Sequence, residues 1–289
     1  MTKLTLTIFV FIWATAGLAT TDRVYLSPME ESSWVLSTDS VLRCEMEHAI
    51  PGFGKAVFYQ ESGGRRLNLK FISDRRYKKD IDIAFRSVSA SWKGVQTVAD
   101  LASLKSSGTR SLVSISNDTA SYAYFELQQG YQPSLYFVVN EFGPQTIAVV
   151  LSTVNFGRTD EPFRACLTRL YADHFDDVQL ARVEFDFDEE FPAVAEEEKA
   201  LKRLLNYVAV DSAINSISVI GHTDYKGSSC YNQTLSERRA WYIYDYLVQS
   251  GIESKKLRIE FKGESEPLLK GKDDNSRARN RRVEVRLHK

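Results

Sequence analysis

The sequence predicts two folded domains: a β-rich barrel or sandwich with a little helix over residues 20–178, then a two-layer α/β domain over residues 179–289. Three observations carry this. Between Lys55 and Ser152 apolar and polar residues alternate in short runs separated by turn residues, the period of half-buried strands. From Arg182 onward short apolar runs alternate with stretches of helical periodicity, the pattern of an α/β layer. The chain has 289 residues, 43% of them hydrophobic, enough for a core in each domain.

Ahead of both domains, residues 1–19 read as a secretory signal peptide. Lys3 is followed by an apolar run from Leu4 to Trp13 and by small residues ending in Gly17-Leu18-Ala19, with a cut expected after Ala19. The run is short for a membrane span, and no cysteine stands near the cut to carry a lipid. The expectation is a soluble exported protein in the periplasm. Lys and Arg total 37 against 38 Asp and Glu, which argues against nucleic acid as a partner and against electrostatic adsorption to a membrane.

In the first domain, Lys55–Ser62 and Arg65–Ser73 alternate, with Leu67, Leu69 and Phe71 on one side, Arg66, Asn68 and Lys70 on the other, and Gly63-Gly64 as the turn between. Further strands are expected at Ile81–Ser87, Ser111–Ser116, Tyr122–Gln128, Leu135–Asn140 and Thr146–Ser152, with one helix at Val95–Leu104. Phe163–Phe175 reads as helical. Export makes a disulfide expected; three cysteines allow three pairings. Cys44 and Cys166, near the two ends of this domain, are the expected pair, closing a long loop for about 4 kcal/mol. Cys230 is then free. The domain shows no metal spacing, phosphate loop or nucleophile elbow, and His48 reads as a surface or cap residue. It is read as a protein-interaction domain.

In the second domain, Arg182–Phe187, Ile217–Ile220, Leu257–Phe261 and Arg282–Leu287 read as strands. A helix between the first two carries Val194, Leu201, Leu204, Leu205 and Val208 on one face, and Glu196 to Glu198 suit the positive end of its dipole. A second helix is expected to start at Thr234-x-x-Glu237, a capping box, to bury Ala240, Ile243, Tyr244 and Leu247, and to stop at Gly251. Strand end, loop and first turn then bring Asp224 and Arg239 to one rim of the sheet. A carboxylate suits an ammonium and a guanidinium fork suits a carboxylate, so the pair fits a zwitterionic head group; the alternative is that the two merely bridge each other. Arg277, Arg279, Arg281 and Arg282 read as a solvated basic face. Lys272-Asp273-Asp274-Asn275 lacks the spacing and closing Glu of a calcium loop, and no metal or cofactor is expected.

The string Gly221-His222-Thr223-Asp224-x-x-Gly227-x-x-x-x-Asn232-x-x-Leu235-Ser236-x-x-Arg239-Ala240, followed by Asn275-x-x-x-Arg279-Asn280-Arg281-Arg282-Val283-Glu284, closely resembles the OmpA-like peptidoglycan-binding domain. The resemblance covers about residues 182–287. It implies a non-catalytic wall anchor in which Asp224 and Arg239 hold the head group of meso-diaminopimelate, with Thr223, Asn232 and, supporting the loop, Arg282 beside them. The whole architecture resembles the T-ring family of sodium-driven polar flagellar motors. This implies that the first domain associates with MotX and the basal body, and that a ring of many copies helps hold the stator units around the rotor. Two other readings stand beside it: a general envelope protein tethering another complex to the wall, and a wall-targeted peptidoglycan hydrolase. For the hydrolase, Cys44 with His48 is the only catalytic candidate, and a disulfide at Cys44 removes it.

Overall fold

The computed structural model describes residues 23–141, 143–192 and 196–289; the expected signal peptide and Val194 lie outside them. Among the described residues no helix is long and apolar enough to cross a membrane. The chain divides into two compact units. Of the described residues, one comprises those up to Val35, Glu47–Phe58 and Asn68–Thr159, the other Leu36–Met46, Tyr59–Leu67 and those from Asp160 to Lys289.

In chain order the β-rich part begins with β1 (Arg23–Tyr25), β2 (Trp34–Asp39), β3 (Arg43–Ile50) and β4 (Gly54–Glu61). Then come β5 (Asn68–Ser73), β6 (Lys79–Ser89), β7 (Val98–Ser107), β8 (Ser111–Ile115), α1 (Asn117–Gln128), β9 (Tyr131–Val139), β10 (Gln145–Val150) and α2 (Phe156–Leu167). The strands form two open five-stranded sheets, ordered β1-β10-β9-β6-β7 and β2-β3-β4-β5-β8. Neither closes on itself, so the fold is a sandwich and not a barrel. The period-two reading holds on β5, where Leu69 and Phe71 are buried and Asn68 and Lys70 are not. Phe71 meets Phe85 of β6 edge-on at 6.1 Å.

Several local expectations are corrected. Tyr122–Gln128 is not a strand but the second half of α1. Ala120, Ala123, Tyr124 and Leu127 are buried at helical spacing while Tyr122 and Phe125 are exposed. Val95–Leu104 is not a helix. Its residues from Val98 on form β7, paired antiparallel with β6 through Ala84↔Ser103 and its neighbours. As the last strand of its sheet β7 is largely exposed, so its apolar residues need not alternate, and the ladder outweighs the three-residue spacing of Val98, Leu101 and Leu104. The helix expected at Phe163–Phe175 begins earlier, at Phe156, and ends at Leu167. His48 is not at the surface: it is fully buried, stacked on Trp34 at 4.6 Å, with Nδ1 2.8 Å from the Ser33 carbonyl.

The second unit continues with α3 (Phe175–Val178), β11 (Leu180–Glu184), α4 (Glu196–Val210), β12 (Ser216–Gly221) and α5 (Ser229–Gln249). It closes with β13 (Leu257–Phe261), α6 (Asp274–Asn280) and β14 (Arg282–His288). Its sheet runs β11-β14-β12-β13, with β12 and β13 parallel and the other pairs antiparallel. Alternate residues Ile217, Val219, Val283, Val285 and Leu287 point into one core with Leu201, Leu204 and Tyr207 of α4 and Ala240, Ile243 and Leu247 of α5. Both helices therefore lie against that face of the sheet. In the same unit Cys44 and Cys166 form a disulfide across 122 residues, with Cα atoms 5.9 Å apart, and Cys230 is free and exposed.

The α5 start differs from the expected capping box. The helix begins at Ser229, and the Ser228 hydroxyl caps it by accepting the Tyr231 N–H. Thr234 lies inside the helix and donates to the Cys230 carbonyl at 3.2 Å, so Asn232 is a helical residue and not a loop residue. At the other end Gly251 takes φ +95°, and the bonds Gly251 N–H to Val248 O and Ile252 N–H to Leu247 O complete a Schellman stop. The short α6 between the last two strands was not expected. Asp273, within the rejected calcium loop, is its N-cap, accepting the Ser276 N–H at 2.9 Å.

Candidate functional site

The end of β12 delivers the site. Gly221 sits where the strand passes under α5, and a Cβ there would lie 2.1 Å from the Ser236 carbonyl oxygen. Only glycine permits that approach. Beyond it, Thr223 is tied by its N–H to Gly263 O, and Gly263 N–H in turn donates to the Ser236 hydroxyl at 3.1 Å. The strand end, the start of α5 and the turn after β13 are thus fixed to one another.

A pocket of about 230 Å³ opens beside this junction. Its walls include Thr223, Asp224, Asn232 and Arg239, four of the five residues singled out from the sequence. The fifth, Arg282, points elsewhere. It is buried at the start of β14, where its Nε donates to Glu284 at 2.8 Å, and Glu284 also accepts from Arg286. Alternate residues of a strand share a face, so Arg282 belongs with this buried ion cluster and not with the pocket. The arginine that does reach the pocket is Arg281, whose Nη1 lies 3.0 Å from Asp224 Oδ2 and whose Nε donates to the Phe185 carbonyl. The basic run contained it without marking it.

Asp224 is 3% exposed and accepts from the Lys226 N–H through its other oxygen at 2.8 Å, which fixes the carboxylate plane. Arg239 is 0% exposed. Its Nε donates to Glu189 O at 2.7 Å, its Nη2 to Asp186 O at 3.0 Å, and its plane lies over the Phe185 ring. These partners are neutral, so among the described residues no carboxylate is in direct contact with the guanidinium. Its Nη1 is buried without a partner, as is the Thr223 hydroxyl. Burial first, and then the neighbouring Arg281 charge, pushes the Arg239 pKa down to about 10, so it remains a cation near neutral pH. Asn232 donates its amide to Glu264. At the mouth stand Phe187, 59% exposed, and Tyr231, whose hydroxyl donates to Asp188.

An orphaned donor on a buried cation costs free energy unless a ligand meets it. The pocket therefore presents a fixed guanidinium N–H and a fixed carboxylate, one for an anion and one for a cation. Beneath it His222 is buried with Nδ1 unpartnered, and burial followed by the Arg282 charge lowers its pKa to about 4, so it is neutral. Among the described residues no group of His, Cys, Asp and Glu is arranged to hold a metal.

A family model described as the MotY N-terminal domain matches residues 25–172, and one described as the OmpA family matches residues 187–281. The chain is 24% identical over 265 residues to the sodium-type flagellar protein MotY of Vibrio parahaemolyticus, spanning 91% of this chain and 89% of that protein. It is 39% identical over 89 residues to outer membrane protein A of Bordetella avium, covering 30% of this chain and 46% of that one. The crystal structure of the peptidoglycan-associated lipoprotein from Burkholderia pseudomallei aligns with 27% identity over 37% of this chain and 90% of its own, at a TM-score of 0.35. The two matches define a two-domain class of protein, a MotY-type N-terminal domain joined to a domain of the OmpA family. The chain belongs to the MotY family.

Proposed function

We propose that residues 179–289 anchor this protein to peptidoglycan by holding the zwitterionic head group of meso-diaminopimelate in the stem peptide. The observation that carries the reading is the unpartnered Nη1 of Arg239, buried in the wall of a pocket that also holds the Asp224 carboxylate. Arg239 receives the ligand carboxylate, Asp224 its ammonium, and the free Thr223 hydroxyl a further ligand oxygen or nitrogen. Asn232, held by Glu264, shapes the wall. Two charged contacts of about 1.5–3 kcal/mol each give modest affinity for one stem, so anchoring rests on many copies acting together.

Residues 20–178 then form the partner-binding domain of a periplasmic flagellar-motor component. In this reading copies assemble as the T ring around the basal body, bind MotX through the sandwich, and help hold sodium-driven stator units around the rotor for motility. Family membership and the relative named as a sodium-type flagellar protein support it. The anchor is tested by sedimenting the full chain with purified sacculi and adding free meso-diaminopimelate. Release of the protein is expected; retention at saturating ligand would overturn the head-group assignment. The motor role is tested by co-purification with basal bodies, and absence of the protein from them would overturn it.

A further inference from the structure

We propose that a second pocket, on the other side of the 223–227 loop, is a carboxylate subsite for the residue adjoining the head group in the same stem peptide. The inference rests on the reading of the first pocket given above. The second pocket has a volume of about 430 Å³, and its walls include Thr223, Tyr225, Glu264, Lys270 and Lys272. The loop residues divide between the two pockets. Asp224 and Lys226 line the first, Tyr225 the second, and Thr223, with its buried unpartnered hydroxyl, lines both. Across the opposite wall Asn232 of the first pocket donates to Glu264 of the second. The two cavities are therefore neighbours through one shared residue and one hydrogen bond.

The second pocket is lined by two lysines, and the backbone that bears them is held. Leu269 is pinned at both backbone groups by the Asn280 side chain, at 2.9 and 2.8 Å. The Lys272 carbonyl accepts from the Tyr225 hydroxyl at 3.2 Å and from Arg277. The backbone that carries Lys270 and Lys272 is thus fastened on each side of Lys270; both side chains are exposed, the Lys272 ammonium lies 5.9 Å from the Tyr225 ring centroid, and among the described residues neither lysine is in an ion pair. Among the lining side chains the one carboxylate is Glu264, and it is engaged by Asn232. Such a site takes an anion. In a stem peptide the glutamate before the diamino acid is joined through its γ-carboxyl, which leaves its α-carboxylate free one residue from the head group. A second carboxylate at that distance is what two lysines carried on a held backbone beside the first pocket would receive.

The test uses the full chain with free meso-diaminopimelate, the tripeptide L-Ala-γ-D-Glu-meso-diaminopimelate, and the same tripeptide amidated at the glutamate α-carboxylate. The acid tripeptide is expected to bind about tenfold tighter than the amidated one. The double variant Lys270→Gln, Lys272→Gln is expected to remove that difference while binding free diaminopimelate as the unsubstituted protein does. Equal affinity for the two tripeptides, or a difference that survives the double substitution, would overturn the inference. Failure of the unsubstituted protein to bind free diaminopimelate would instead overturn the first-pocket reading, and this subsite with it.

Discussion

Asp224 faces Arg281 and not Arg239: its Oδ2 lies 3.0 Å from Arg281 Nη1, while the Arg239 guanidinium spends its bonds on the carbonyls of Asp186 and Glu189. Arg281 orients the carboxylate, and one Arg239 donor, Nη1, is left without a partner. Arg281→Met is therefore expected to weaken binding to sacculi about tenfold and to cost stability as well, since the buried Asp224 carboxylate loses its charged partner. Arg282→Met should act on stability alone. It leaves Glu284 buried with less of its positive counterpart, costing about 3–5 kcal/mol on denaturant unfolding, with binding retained by the folded fraction. If Arg282→Met abolishes binding and Arg281→Met does not, the geometry described here is wrong.

Acid should destabilise the protein partly through His222. Its pKa falls from 6.5 to about 4 in the folded state because it is buried beside Arg282. Between those values the unfolded chain takes up a proton that the folded one refuses, so stability drops as pH falls from about 6.5 towards 4, by about 3 kcal/mol for this group. His48, also lowered by burial, acts with the same sign. Chemical denaturation as a function of pH should show a shallower slope for His222→Gln than for the unsubstituted protein; an identical slope would count against the assignment.

The disulfide should be a large stabiliser. A bridge spanning 122 residues contributes about 4–5 kcal/mol in the chain-entropy model. Replacing Cys44 and Cys166 by serine should lower the Tm by about 10 °C or more, and Cys230→Ser should leave it unchanged. Thermal melts of the two variants, with and without reductant, make the comparison. A double variant as stable as the parent would contradict it.

Gly221→Ala should fail at the junction that positions the site. The added Cβ would sit 2.1 Å from a helix carbonyl, which cannot yield as a side-chain tip can. A loss of about 3 kcal/mol or more is expected, together with weaker wall binding, because α5 carries Arg239. Unfolding curves that overlay those of the parent would show that strand and helix are not so tightly apposed.

Much of the α/β domain was legible because its positions obey one period each. Ile217 and Val219 on β12, and Ala240, Ile243 and Leu247 on α5, read directly as core. The sandwich was legible in β5 and in the strands that follow it, but α1 and β7 were exchanged in type. In α1 small buried residues, Ala120 and Ala123, carry the helical period, while the larger Tyr122 and Phe125 face outward and suggest alternation. In β7 exposure removes the alternation that would have marked a strand. At the site, the strand-loop-helix reading brought Asp224 and Arg239 to one rim, while Thr223 and Asn232 came only with the resemblance to the OmpA-like domain; all four line the first pocket. Arg281 was not: adjacent arginines, one ending α6 and one starting β14, diverge because only the second obeys the strand's facing rule. His48 was misread since burial by stacking on Trp34 leaves no sequence signature.

The central claim is that Asp224 and the free donor of Arg239 grip the wall. It is tested most directly by co-sedimenting the full chain with purified sacculi beside Asp224→Asn and Arg239→Lys, each first shown to be folded by circular dichroism. Lysine keeps the charge but cannot both hold the two loop carbonyls and present a planar donor. The account predicts that the parent protein sediments and that both variants stay in the supernatant. Variants that sediment as well as the parent would contradict it.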